Sequence, residues 1–138
     1  LVLERDVFVG LSSRSTLPGM QQFRAIVAPL GYEVHAVPVR GCLHLKSAVT
    51  RAGARTLVVN PAWVDPAHFP GWDIVPVDAR EPSGANVLWL GGTTLVAEAF
   101  PRTNALLARA IDAALLPVRA GELAKAEGAL TCCSVLVA

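Results

Sequence analysis

The sequence predicts an α/β fold assembled from a recurring ββαβ unit of about 40 residues. Three observations carry this. Val37-Pro38-Val39, Val75-Pro76-Val77 and Leu116-Pro117-Val118 place strand-final prolines 38 and 41 residues apart. The same order of elements surrounds each triplet: two strands joined by a turn, a helical or looped stretch, and the strand that ends in proline. The 138 residues are 53% hydrophobic and 17% charged, which is enough for one domain with a packed core and excludes a disordered segment.

In the first unit, over about 1–39, residues 1–3 and 7–11 alternate around the polar turn Glu4-Arg5-Asp6 and read as a hairpin. Phe23, Ile26, Val27 and Leu30 follow at helical spacing, Gly31 stops the helix, and 32–39 form the third strand. The second unit, over about 44–79, has strands at 45–49 and 56–60 around Arg51-Ala52-Gly53-Ala54. A short helix or loop near 65–69 leads to a strand at 72–77. The third, over about 84–119, has strands at 86–90 and 93–97 around Gly91-Gly92. Its helix over 103–115 places Leu107, Ala110, Ile111 and Ala114 on one face. A helical piece at 121–126 and a closing strand at 130–137 complete the chain. Three units with unpaired strand ends form an open arc, whereas radial arrays normally close so that no sheet edge is left open.

Charge narrows the function classes. Twelve Lys and Arg against 11 Asp and Glu leave a net charge of +1, which is no footprint for nucleic acid or an anionic membrane. No apolar run reaches the roughly 18 residues of a spanning helix. The acidic and basic residues at 4–6 stand where a secretory leader would be apolar, so no leader is expected. The chain begins without Met, in strand-like sequence, and reads as part of a longer protein. Three cysteines, two of them vicinal, fit neither a disulfide framework nor a zinc pattern. Free thiols in a reducing compartment, hence a cytoplasmic location, are the expectation.

Two residues stand out chemically. His44, in Cys42-Leu43-His44-Leu45-Lys46-Ser47, and Cys132, in Leu130-Thr131-Cys132-Cys133-Ser134, could form a nucleophile and its proton partner although 88 positions separate them. The plainer reading makes the cysteines small buried hydrophobes on a strand and His44 a satisfied core histidine. On the closing strand over 130–137, Cys132 and Cys133 must face opposite sides, so at most one of them faces any given site. Arg14, after Leu11-Ser12-Ser13 at a strand end, suits a substrate carboxylate, and equally a solvated surface position. His35 and His68 read as structural, and Trp63, Trp72 and Trp89 as packing residues. Gly91-Gly92 is a hairpin turn, not a phosphate cradle.

Five blocks together resemble a known family. They are Val7-Phe8-Val9-Gly10-Leu11-Ser12-Ser13-Arg14, Leu43-His44-Leu45-Lys46-Ser47, Ala85-Asn86-Val87-Leu88-Trp89, Pro101-Arg102-Thr103, and Gly128-Ala129-Leu130-Thr131-Cys132-Cys133-Ser134-Val135-Leu136. In order and spacing they are similar to the C-terminal part of the dimethylarginine dimethylaminohydrolases, of the guanidino-group-modifying amidinotransferase/deiminase superfamily. Lys46 stands where arginine deiminases would carry an acid.

The resemblance implies about three of the five blades of a pentein-type α/β propeller. It also implies hydrolysis of Nω-methylated L-arginine to L-citrulline without metal or other cofactor. Cys132 would be the nucleophile, His44 the general acid and base, and Arg14 the ligand of the substrate α-carboxylate. Ala126 and Glu127, where Val-Asp is more usual, would lie near the substrate's amino-acid end, and Cys133 would be a non-catalytic neighbour. The family's guanidinium-binding acids fall upstream of residue 1. The chain is therefore expected to self-associate or to pair with a missing N-terminal portion, and not to be a stable monomer. The alternatives are arginine deimination or amidine transfer by the same Cys and His, or a non-catalytic assembly module.

Overall fold

The computed structural model describes residues 1–136. Among the described residues nine strands form three separate three-stranded sheets, each in sequential order, with an antiparallel first pair and a parallel second pair. The first contains β1 (Val2–Leu3), β2 (Asp6–Leu11) and β3 (Glu33–Pro38), with α1 (Leu17–Val27) crossing between β2 and β3. In the second, a helical turn α2 (Leu45–Ala48) runs directly into β4 (Val49–Arg51), and β5 (Thr56–Val59) and β6 (Asp73–Pro76) follow. The third holds β7 (Leu88–Trp89), β8 (Thr93–Ala97), α3 (Pro101–Ala110) and β9 (Ala114–Val118), with α4 (Gly121–Lys125) beyond it. Among the described residues no helix is long and apolar enough to cross a membrane.

The topology explains the recurring prolines. Pro38, Pro76 and Pro117 lie on β3, β6 and β9, and each of these is one of the two edge strands of its sheet. A residue without an N–H is tolerated on an edge strand and not in a central one. The continuous apolar run of β5 also has a cause. Leu57 and Val59 face a core shared with the first sheet, through Leu3, Phe8, Val37 and Phe69, while Val58 faces a second core with Val87, Val96 and Leu107. The middle sheet is thus buried on both faces.

Local signals set the helix ends. The Thr16 hydroxyl accepts the Gly19 N–H at 3.3 Å, the chain tightens into a 3₁₀ turn at Ala28–Leu30, and Gly31 ends it at φ +78°. Helix α1 buries Met20 against Val7 and Val34, while Phe23 and Ile26, two of the residues whose spacing marks the helix, are 39% and 70% exposed. Helix α3 lacks a capping side chain of its own at Phe100, and Glu81 substitutes. Its carboxylate accepts the Arg102 and Thr103 N–H groups at 3.0 and 2.7 Å.

Three expectations are corrected. Residues 45–48 are helical, because Ser47 N–H returns to the His44 carbonyl at 2.9 Å, and the strand starts only at Val49. Helix α3 ends at Ala110 and Leu115 belongs to β9, paired with Thr94, because the parallel ladder with β8 claims it. The closing strand expected over 130–137 is not formed over 130–136, and 137–138 lie outside the described residues. Residues 130–133 curl into a turn, with Cys133 N–H bonded to Ala129 O at 3.1 Å and Ser134 Oγ to Leu130 O at 2.6 Å. Among the described residues no sheet strand pairs with this segment to extend it.

Candidate active site

Three segments distant in sequence border one open-sided cavity of about 760 Å³, and Arg14, His44 and Cys132 all line it. Each segment has its own reason to be there. Arg14 occupies a tight turn over 12–15 at the end of β2, closed by Ser15 N–H to Ser12 O at 3.4 Å. The Ser12 hydroxyl accepts the Arg14 N–H at 3.1 Å and donates to the Leu43 carbonyl at 2.8 Å, joining that turn to the residue before His44.

His44 is the N-cap of α2. Its backbone is extended (φ −123°, ψ 134°), its carbonyl accepts the first helical N–H, and its side chain makes no capping bond. The exposed imidazole is therefore not consumed by the helix. The close approach of α2 to β2 requires Gly10. A Cβ there would lie 2.9 Å from Leu45 Cβ and 3.3 Å from Leu45 N. Upstream, Gly41 takes φ +69° with the Trp63 indole over it, at 2.6 Å from where a Cβ would stand.

Cys132 and Cys133 are both exposed, and Cys132 is the one that lines the cavity. Neither cysteine nor His44 is the buried group that the plainer reading required. The turn, and not strand alternation, separates the two thiols. Cys42 is half-buried, donates its thiol to the His44 carbonyl at 3.5 Å, and has its pKa pushed up by burial.

Asn86 connects the segments. Its amide Nδ2 donates to the Lys46 carbonyl at 2.9 Å and to Thr131 Oγ1 at 2.9 Å, and its Oδ1 accepts the Thr131 N–H at 3.0 Å. In the sequence, Asn86, Ser12 and Gly10 are marked only as members of the matching blocks, with no individual role. The available signal was a lone amide inside the apolar run Ala85-Asn86-Val87-Leu88-Trp89. Such a residue, if buried, must find partners.

Electrostatically the cavity is one-sided. Arg14 and Lys46 line it, and no carboxylate does among the described residues. That lining matches a carboxylate and does not match a cation such as a guanidinium. Ala126 is exposed and does not line it, and Glu127, at φ +56°, borders a neighbouring cavity of about 320 Å³ with Cys42, Trp63 and Asn86. His35 bonds Asp6 at 2.6 Å and stacks on Phe8, while His68 sits in a 3₁₀ turn. Asp6, Glu33 and His35 hold three potential ligand atoms within 4.8 Å of one another, and among the described residues they are the group that could take a metal ion. Trp63 and Trp72 pack on the first core, whereas Trp89 lies under the Arg51 guanidinium at 4.0 Å.

No protein-family model matches the chain. It is 44% identical over 131 residues to the N(G),N(G)-dimethylarginine dimethylaminohydrolase of Streptomyces coelicolor, covering 94% of this chain and 49% of that protein. In solved structures, a mutant dimethylarginine dimethylaminohydrolase from Pseudomonas aeruginosa complexed with citrulline superposes with TM-score 0.86 at 23% identity, over 95% of this chain and 51% of that one. An amidinotransferase from Microseira wollei, of the saxitoxin biosynthetic pathway, superposes with TM-score 0.82 at 19% identity, over 93% and 43%. The chain spans about half the length of the curated relatives it matches. The α/β fold of ββαβ units is that of a partial pentein-type propeller.

Proposed function

This chain belongs to the dimethylarginine dimethylaminohydrolase family, and from that premise we propose that it carries the nucleophile, proton-transfer and carboxylate-binding side of an enzyme hydrolysing Nω-methylated L-arginine. Supporting this reading is one observation above the rest: Arg14, His44 and Cys132, from three separate segments, border the same cavity.

Arg14 takes the substrate α-carboxylate through its forked donors. Cys132 Sγ, its proton passed to the His44 imidazole, forms a bond to the guanidinium carbon. The C–N bond to methylamine or dimethylamine breaks as His44 returns a proton to the departing nitrogen. Water then gives a proton to His44 and its oxygen bonds the thiouronium carbon. The C–S bond breaks with its electron pair passing to sulfur, His44 returns its proton to the Cys132 thiolate, the remaining hydroxyl proton is lost to solvent, and L-citrulline leaves. Ala126 and Glu127 are assigned no step, since neither lines this cavity.

The guanidinium needs a carboxylate partner that the cavity lacks among the described residues. In this proposal it comes from the portion of the relatives' length that the chain does not span, which pairs with this one to complete the site. The three free thiols suit a reducing compartment, and we place the enzyme in the cytoplasm.

The test is citrulline release by the full-length protein supplied with dimethylarginine, monomethylarginine or arginine. Methylated substrates should be turned over and Cys132→Ser should abolish it. His44→Asn should lower kcat by about 10²–10⁴-fold without unfolding the protein. Preference for unmethylated arginine, or transfer of the amidine to an added amine, would replace this reading with deimination or amidine transfer.

A further inference from the structure

We propose that Asn86 is a positioning residue that sets the separation of Cys132 from His44, an inference that rests on the roles given to those two residues above. His44 and Cys132 are anchored to different parts of the fold and share no element. The bond from Asn86 to Lys46 O spans 40 positions and those to Thr131 span 45. Lys46 belongs to the single helical turn that His44 caps, and Thr131 directly precedes Cys132. One amide therefore grips the segment of the proton carrier and that of the nucleophile at the same time.

The chemistry of the side chain suits this and little else. Asn86 is 6% exposed and is not among the residues lining the cavity of Arg14, His44 and Cys132, so it does not touch a substrate there; it borders the neighbouring cavity instead. A backbone carbonyl on one side and a backbone N–H on the other leave a single amide orientation that satisfies both. Both Nδ2 hydrogens and one Oδ1 lone pair are used. Aspartate cannot replace it, because its carboxylate would face the Lys46 carbonyl with no hydrogen to share. On the opposite side of His44, Ser12 holds the Leu43 carbonyl and the Arg14 N–H. Loss of Asn86 therefore frees the Cys132 side of the site while the Arg14 side stays tied. A displacement of about 1 Å between reacting groups can cost a hundredfold in rate.

A structural comparator exists in the same chain. Asn60 is similarly buried, and its side chain donates to Pro82 O at 2.8 Å and accepts the Ala62 N–H at 2.9 Å, so its amide group bonds no segment carrying His44 or Cys132; only its backbone N–H reaches α2, at Ala48 O, and Asn60→Ala keeps that bond. The experiment uses the full-length protein in a Cys133→Ser background, with Asn86→Ala, Asn86→Asp, Thr131→Val, Asn60→Ala and His44→Ala. It measures thermal unfolding, kcat and KM for dimethylarginine, and the pH profile of Cys132 alkylation by iodoacetamide.

Asn86→Ala and Asn86→Asp should lower kcat by about 10–100-fold with KM changed less than about threefold. Their alkylation profiles should move toward that of His44→Ala. Thr131→Val, which keeps the backbone N–H bond, should move both in the same direction by a few-fold and serves where the Asn86 variants do not fold. Asn60→Ala should lose stability yet keep the parental kcat and profile. If the Asn86 variants match Asn60→Ala, or the Thr131→Val profile is parental, the inference fails. If the protein does not hydrolyse dimethylarginine, the proposed function fails and the alkylation profiles alone decide the role of Asn86.

Discussion

The Thr50 hydroxyl holds both backbone neighbours of Asn86: it donates to the Ala85 carbonyl at 2.6 Å and accepts the Val87 N–H at 3.0 Å. Thr50 is 2% exposed and lies on β4, so the middle sheet dictates where the segment leading into the third sheet can run. Thr94 of β8 completes the seam by donating to Ala52 O at 2.7 Å. Thr50→Val retains the shape and strands two buried backbone groups. It should destabilise the protein by about 1–3 kcal/mol, read from urea unfolding. It should also lower activity, because Asn86 loses its frame. A loss below about 0.5 kcal/mol would mean that water reaches those groups.

Gly10 is the point at which β2 admits α2. In Gly10→Ala the new methyl meets Leu45 Cβ and the Val39 methyl at 2.9 and 3.0 Å, both part of packed structure. The expected cost is about 1–3 kcal/mol of overpacking, measured by thermal or urea unfolding. Because Leu45 follows His44 directly, kcat should fall further than the fraction of folded protein does. Unchanged kcat per folded molecule would show that Leu45 shifts without moving the imidazole.

Glu81 stabilises the start of α3 as a carboxylate. Burial alone would raise its pKa, but the bonds from the Thr103 and Arg102 amides and the Thr103 hydroxyl outweigh it and hold the group below its ordinary 4.5. A depressed carboxyl contributes fully above the ordinary value and loses its contribution as pH falls through the folded value. Glu81→Ala should therefore cost about 0.5–2 kcal/mol near neutrality, and its difference from the parent should shrink as pH drops from about 5 to about 3. A gap that is constant over that range would assign the effect to packing.

The three thiols should separate under mild alkylation. Cys132 and Cys133 are exposed, while Cys42 is half-buried with a raised pKa and so has less thiolate at a given pH. Peptide mass analysis of the full-length protein should find Cys132 and Cys133 modified before Cys42. Only the Cys132→Ser variant should lose turnover, with Cys133→Ser keeping most of it. The reverse pattern would exchange the two residues' roles.

The ββαβ order was legible in the sequence because its signals are local. Strand-final prolines at sheet edges, Gly31 ending a helix and Gly91-Gly92 turning a hairpin each act on their nearest neighbours. His44 and Cys132, singled out by residue type and by the blocks that contain them, line one cavity, and their roles there remain the proposal made above. Short apolar stretches were not legible in this way. Residues 45–48 read as a strand and are helical, and 130–133 read as a strand and form a turn. Neither run is long enough to choose its own conformation. Their conformations were decided by tertiary partners: Gly10, which lets the Leu45 backbone approach β2, and Asn86, which bonds Lys46 and Thr131 across 40 and 45 positions. The residue types of the site belong to the sequence. Their meeting was decided by hydrogen bonds between segments far apart in the chain, which no local pattern specifies.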